Sequence, residues 1–210
     1  MTTLSERLRA QTALVRAACL AHPFVRGIAD GSLRPVVFAR WVRQDWLYLQ
    51  TYAAVLEGAV AVAPAESAKR WRELHDLTVN HELALHRAFA RRFGLSPGDL
   101  DRSEPTAATV AYRAFLRSSL GDYPRLVASL LPCGVGYVQI ARALAAEPTP
   151  ADPRYAEWIA TYDDPAFREA VRWMEGELDA HGPGHPSVPT TYAAGAEHEL
   201  AFWDALWKGP

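Results

Sequence analysis

The stretch from Pro35 to about Val62 most constrains the fold, because no residue in it breaks a helix until Pro64 ends it. An α-helix rises 1.5 Å per residue, so a helix over this stretch is about 40 Å long. No run of the sequence shows strand alternation of useful length. A helix this long is predicted to pack against other helices, and we therefore expect an all-α fold.

Further helical segments are separated by glycine and proline. Thr3 and Glu6 are predicted to cap a first helix that ends near His22, and a second long helix is predicted from Glu66 to Phe93. We interpret residues 26–35 as a turn-rich link and residues 181–192 as irregular, and we expect other helices at residues 106–120, 154–162, 166–180 and 192–207. The prediction is one domain over residues 1–210, a bundle of seven or eight helices.

The segment Leu130–Leu144, LLPCGVGYVQIARAL, is predicted to be a buried helix, although it contains residues that disfavour helix formation. Pro132 lacks a backbone donor and crowds the carbonyl of Ala128, so a helix here is predicted to kink or restart. Gly134 and Gly136 each cost about 1 kcal/mol in helix propensity relative to alanine. These costs are not expected in a helix that serves only for packing.

Composition and charge argue against a nucleic-acid-binding or membrane-spanning protein. Half of the 210 residues are hydrophobic and the net charge is −2, which does not indicate a nucleic-acid or membrane-surface partner. No uninterrupted apolar run approaches the roughly 20 residues of a membrane span, and the N-terminus lacks the order of a signal peptide. Cys19 and Cys133 are the only cysteines, so we expect reduced thiols and a cytoplasmic location.

Two groups of polar residues share faces of apolar helices. Asp45, Tyr48 and Tyr52 lie at helical spacing and form one stripe. If this stripe is buried, each polar atom needs a partner, internal or from a ligand; the alternative is that Asp45 faces solvent or pairs with a nearby arginine. Cys133 and Tyr137, four residues apart, share a face, which fits a functional site and equally a buried thiol beside a buried phenol.

Other candidate residues are less specific. Glu199 and Trp203 lie four residues apart in EHELAFWDALW, so the carboxylate is either held against an apolar face, where burial raises its pKa, or solvated on the last helix. Tyr112 and Tyr162 are further phenols at helix positions, and each alone is more typical of packing.

Metal binding is weakly indicated. His81 and His86 are five residues apart, roughly 140° around a helix, so they do not converge as the HExxH spacing does. Glu82 and His86 do share a face, but one such pair falls short of a di-iron bundle. His22 before Pro23 is an ordinary helix end, and we expect neither a metal nor a haem ligand set.

Four segments together resemble the TenA (thiaminase II) family, which has a haem-oxygenase-like helical fold. They are HPFVRGIADGSLRPVVFARWVRQDWLYLQTYA, LLPCGVGY, YAEWIATY and ELAFWDAL, and they span nearly the whole chain. The combination of Asp-x-x-Tyr, Leu-Pro-Cys-x-x-x-Tyr and Glu-x-x-Phe-Trp is specific to this family. Cys133 places the chain in the cysteine-containing branch.

The resemblance implies hydrolysis at the exocyclic methylene of an aminopyrimidine, either thiamin or an aminomethylpyrimidine, to give hydroxymethylpyrimidine in thiamin salvage. Cys133 would be the nucleophile that adds to the pyrimidine ring, Glu199 would protonate a ring nitrogen, and Asp45 would bind the exocyclic amine. A thiolate is the stronger nucleophile, and a nearby acid lets a neutral heteroaromatic ring accept it. The pocket tyrosines would be Tyr48, Tyr112, Tyr137 and Tyr162.

The resemblance implies no metal or organic cofactor, a small-molecule substrate as the partner, and a homotetramer. The chain departs from the family pattern at residues 134–136, where glycines replace bulkier residues, so we expect a roomier or differently shaped pocket. The ending FWDALW is also unusual for the family. Two alternatives remain at this point. One is a TenA-like binding protein or regulator that binds a pyrimidine without turnover, and the other is a haem- or metal-dependent oxygenase of the same fold.

Overall fold

The computed structural model describes residues 2–208, and every regular element in that range is helical. The all-α prediction is therefore confirmed. The elements are α1 Leu4–Gln11, α2 Ala13–Ala21, α3 Pro23–Asp30, α4 Pro35–Val62, α5 Ala65–Leu77, a π-helical turn Thr78–Glu82, α6 Leu83–Arg92, α7 Pro97–Asp101, α8 Ala107–Arg117, α9 Tyr123–Ala145, α10 Pro153–Tyr162, α11 Pro165–His181 and α12 Val188–Lys208.

Local signals explain where most helices begin and end. Thr3 and Glu6 form the predicted capping box of α1, and α4 runs from Pro35 to Val62 as expected. Gly94 follows α6 with φ +75°, a left-handed conformation that favours glycine and stops a helix.

Five predictions about the chain's organisation were wrong. The first predicted helix is two helices, α1 and α2, which are separated at Thr12. The first half of the turn-rich link belongs to α3, which begins at Pro23 and in which the His22 ring accepts a hydrogen bond from the Phe24 N–H. The predicted helix over residues 66–93 is interrupted by the π-turn. The irregular stretch ends at residue 187, where α12 begins. With these extra segments, residues 2–208 hold twelve α-helices rather than seven or eight.

Helix α9 is the central element, and it packs most extensively against α12 while also contacting α4, α10 and α11. By length and composition alone it could span a membrane, but two thirds of its most apolar window is buried inside the protein. That burial is typical of a core helix. The helix continues through Pro132 without the restart that the sequence allowed.

Gly195 on α12 makes room for Pro132. A Cβ atom at Gly195 would lie 2.7 Å from Cγ of the Pro132 ring, well inside van der Waals contact. The ring of a proline inside a helix has little freedom to move. The residue that crowds its own helix is therefore accommodated by a missing side chain on the neighbouring one.

We predict that Gly195→Ala destabilises the protein by about 1–3 kcal/mol, because the added methyl group overpacks a rigid contact. Gly176→Ala is the matched control: Gly176 lies in α11 with no atom near the added Cβ, so we expect a gain of about 0.4–1 kcal/mol. Urea denaturation of both variants checks the opposite signs. Equal stabilisation by both would contradict the close contact.

Candidate functional site

A cavity of about 720 Å³ opens between α4, α5, the π-turn, α9, α10 and α11. This volume is within the range of small-molecule sites. Among the site residues predicted from the sequence, five line it: Asp45, Tyr48, Cys133, Tyr137 and Tyr162. Tyr112 and Glu199 do not line it. Tyr112 packs against Tyr48, and Glu199 lies beside Cys133 and accepts a hydrogen bond from Tyr112.

Asp45 is buried and faces His86 rather than solvent or an arginine. Nε2 of His86 lies 2.6 Å from Oδ2 of Asp45, and Nδ1 of His86 is 3.0 Å from the backbone carbonyl oxygen of Glu82. A carbonyl oxygen only accepts, so Nδ1 carries a proton. Burial alone would lower the pKa of His86, but the Asp45 carboxylate outweighs it and raises that pKa. The pair is therefore best described as a buried imidazolium–carboxylate contact.

The π-turn places a second carboxyl group in the cavity. Glu82 is the last residue of the turn and its side chain lines the same cavity as Cys133. Burial and the Asp45 charge raise the pKa of Glu82 to about 7, against the opposing effect of His86. π-turns inside helices occur frequently at functional sites.

Cys133 and Glu199 influence each other's protonation. Burial first, and then the charge of Glu199, raise the pKa of the Cys133 thiol well above its usual value. Burial also raises the pKa of Glu199 to about 7, although Oε1 of Glu199 accepts a 2.6 Å hydrogen bond from the Tyr112 hydroxyl. The resting thiol is consequently protonated near neutral pH, so a nucleophilic role needs a base that takes its proton as it attacks.

The tyrosines form an aromatic wall around the thiol. Tyr137 packs edge-on against Tyr162 with ring centroids 4.7 Å apart, and its hydroxyl accepts a 3.1 Å hydrogen bond from the indole N–H of Trp41. Tyr48 packs against Tyr112 at 4.8 Å. The buried Tyr48 hydroxyl lies beside the Cys133 thiol and lowers the pKa of that thiol against the larger effect of burial.

The two glycines after Cys133 lie in different surroundings: Gly134 lines the cavity and Gly136 does not. The expected effect of residues 134–136 on the shape of the pocket stays a prediction. A Cβ at Gly134 would lie 2.8 Å from Cγ2 of Val171, so a methyl group of α11 already fills that space. Gly136 faces away from the cavity, towards Oε2 of Glu199 at 4.0 Å. Gly134 thus permits close helix packing and Gly136 leaves room beside a buried carboxyl group.

The outer part of the cavity is apolar with a charged rim. Its apolar side chains include Leu74, Leu77, Leu85, Phe167 and Met174, and its rim carries Arg70, Glu157 and Asp164. Most rim charges have structural partners: Arg70 pairs with Glu73, and Asp164 caps α11. The cavity can therefore take a flat heteroaromatic ring in its aromatic part with a larger substituent extending outward.

Sequence reasoning missed His86 and Glu82 as members of this site. It considered them only as metal ligands and left Asp45 without its actual partner. Their i, i+4 spacing was the available signal, but the π-turn between α5 and α6 could not be read from helical periodicity. Within residues 2–208, no group of three His, Cys, Asp or Glu side chains is placed to hold a metal ion.

Comparison with known proteins identifies the family of this chain. The model of the TENA/THI-4/PQQC family matches residues 9–208. The chain belongs to this family. An aminopyrimidine aminohydrolase from Halalkalibacterium halodurans is 36% identical over 199 residues, which cover 89% of this chain and 88% of that protein.

Solved structures confirm the TenA and haem-oxygenase-like fold. A TenA homologue from P. horikoshii OT3 superimposes with a TM-score of 0.92 at 25% identity, over 99% of this chain and 100% of that one. A domain with a heme oxygenase-like fold from Shewanella denitrificans gives a TM-score of 0.78 at 17% identity, over 96% and 91% of the two chains. The prediction of family and fold was correct.

We predict that Glu199→Gln raises stability more at pH 8 than at pH 5. The folded-state pKa of Glu199 is raised from 4.5 to about 7, so its contribution is fully present below pH 4.5 and is lost as pH rises through 7. The amide keeps a hydrogen-bond acceptor for Tyr112 without the buried charge. Urea denaturation at both pH values is the measurement, and exposed Glu57→Gln is the control. A difference between variant and wild type that does not change with pH would contradict this prediction.

Proposed function

We propose that the protein is an aminopyrimidine aminohydrolase of the thiaminase II type, a hydrolase that acts in thiamin metabolism. Aminomethylpyrimidine or thiamin would be hydrolysed at the exocyclic methylene to give hydroxymethylpyrimidine. The observation that carries this proposal is that Cys133 and Asp45 line one aromatic cavity, in a chain whose relative at 36% identity is named for that activity.

Asp45 supports pyrimidine binding. As a carboxylate held by His86, it presents acceptors to the exocyclic amine and can hold a proton shared with the adjacent ring nitrogen. The rings of Tyr48, Tyr137 and Tyr162 supply flat apolar surfaces for the heteroaromatic ring. The Tyr48 hydroxyl beside Cys133 would supply one further polar group.

Cys133 and Glu199 support the covalent step. Because the resting thiol is protonated, we propose that Glu199 as carboxylate receives its proton while sulfur attacks the electron-poor ring carbon. The resulting carboxylic acid then protonates a ring nitrogen, so the proton lost by sulfur neutralises charge that develops on the ring. A pKa of about 7 suits Glu199 to both directions of transfer.

Loss of the exocyclic substituent and addition of water complete the reaction. Addition of sulfur makes the ring electron-rich, and the ring electrons expel the leaving group from the exocyclic methylene. Water adds to that carbon, and release of Cys133 restores the aromatic ring. The outer cavity has space for the thiazolium of thiamin as well as for a single amine.

We propose further that the protein is cytoplasmic, needs no cofactor and assembles as a homotetramer. The thiols of Cys19 and Cys133 are both free, which suits a reducing compartment. Large apolar side chains remain exposed on the single chain, as oligomer interfaces require: Leu14, Val36, Val110 and Trp207.

The central prediction is that Cys133→Ala abolishes release of hydroxymethylpyrimidine, because the covalent route needs the sulfur. The assay measures product from aminomethylpyrimidine, its N-formyl form and thiamin by liquid chromatography. Cys19→Ala is the control, since Cys19 is buried away from the large cavity, and it should retain activity. Full activity of Cys133→Ala would reject the mechanism. Thermal stabilisation of wild type by the pyrimidine without product over hours would instead indicate a binding protein.

A further inference from the structure

Glu82 is a carboxyl group in the reaction cavity to which the chemistry above assigns no role. Its side chain lines the cavity together with Cys133 and Asp45. Its carboxylate makes no hydrogen bond or ion pair with any side chain in the described part of the chain; only its backbone carbonyl is engaged, by His86. A carboxylate that faces an apolar cavity without a partner is costly unless a ligand supplies one.

The other carboxylates that line the cavity already have partners within the protein. Glu157 forms an ion pair with Arg92, and Asp164 caps α11 through the N–H groups of Ala166 and Phe167. Asp45 is paired with His86. Glu82 is the lining carboxylate that is left for a substrate.

The connectivity of an aminopyrimidine keeps the reacting carbon close to the amine that Asp45 would hold. The exocyclic amine and the exocyclic methylene sit on adjacent ring carbons. The Asp45 charge lies close enough to Glu82 to raise its pKa, and both residues contact His86, Asp45 through its carboxylate and Glu82 through its backbone carbonyl. An amine held by Asp45 would therefore bring the adjacent methylene into the same cavity that Glu82 lines.

We propose that Glu82 is the catalytic acid–base residue at the exocyclic methylene. As a carboxylate, it binds the cationic leaving amine and then removes a proton from the water that replaces it. This role rests on the proposed function and adds a second proton-transfer residue to it, beside Glu199.

The step balances with water as the only co-reactant. The carbon–nitrogen bond of the protonated aminomethyl group breaks, the electron pair goes to nitrogen, and neutral ammonia leaves. A water oxygen bonds to the methylene carbon, and one water proton passes to Glu82. Glu82 gives that proton to ammonia, which departs as ammonium, and the carboxylate is restored. With thiamin, the thiazolium leaves as a neutral thiazole and the proton passes to solvent.

The test compares Glu82→Gln with Glu57→Gln, which removes an exposed carboxylate from α4. We expect Glu82→Gln to lower kcat by about 10²–10⁴-fold, the usual contribution of a general acid–base residue, while Glu57→Gln keeps the wild-type rate. In a second variant, Glu82→Ala, added formate should restore part of the activity in a saturable manner, because a small carboxylate can occupy the vacated space. A role limited to folding would not respond to formate.

The outcomes separate this proposal from the one it rests on. Wild-type kcat in Glu82→Gln overturns the role of Glu82 and leaves the aminohydrolase function intact. Reduced activity in Glu82→Ala that formate does not restore also overturns it. Absence of turnover in the wild type and in Glu57→Gln would reject the aminohydrolase function itself. Urea denaturation of each variant confirms that the rates are compared between folded proteins.

Discussion

The buried contact between Asp45 and His86 is the interaction on which the arrangement of the cavity depends. An ionised carboxylate in a helical core is unfavourable without a partner, and removal of one partner from such a pair typically costs about 3–5 kcal/mol. The contact joins α4 to α6 across the cavity wall. It therefore fixes the position of α6, and the carbonyl of Glu82 fixes the His86 ring in turn.

Burial makes the loss of a proton unfavourable for three acidic groups around the cavity. Burial raises the pKa values of Cys133, Glu82 and Glu199. Their charged forms are thus destabilised in the free protein and are favoured when a substrate brings positive charge or accepts a proton. Such an arrangement reduces folding stability near neutral pH and prepares the same groups for proton transfer.

Much of this molecule could be predicted from its sequence, and the rest depends on packing. The absence of breakers between Pro35 and Val62 was sufficient for α4, and the motifs around Cys133 and Glu199 were sufficient for family and fold. The partner of Asp45 was not predictable, because it depends on how α6 is rotated about its axis. The meaning of Gly134 was not predictable either, since the Val171 methyl group that fills its space comes from another helix.

The π-turn has a consequence for how this site can change by insertion or deletion. An α-helix advances about 100° per residue, so deletion of one residue from Thr78–Glu82 would restore a regular ladder and rotate α6 by about that angle. His86 would then face away from Asp45, together with the rest of the rotated helix. The helix would become more regular while the buried Asp45 lost its partner. The one extra residue in the turn is therefore what directs His86 towards Asp45.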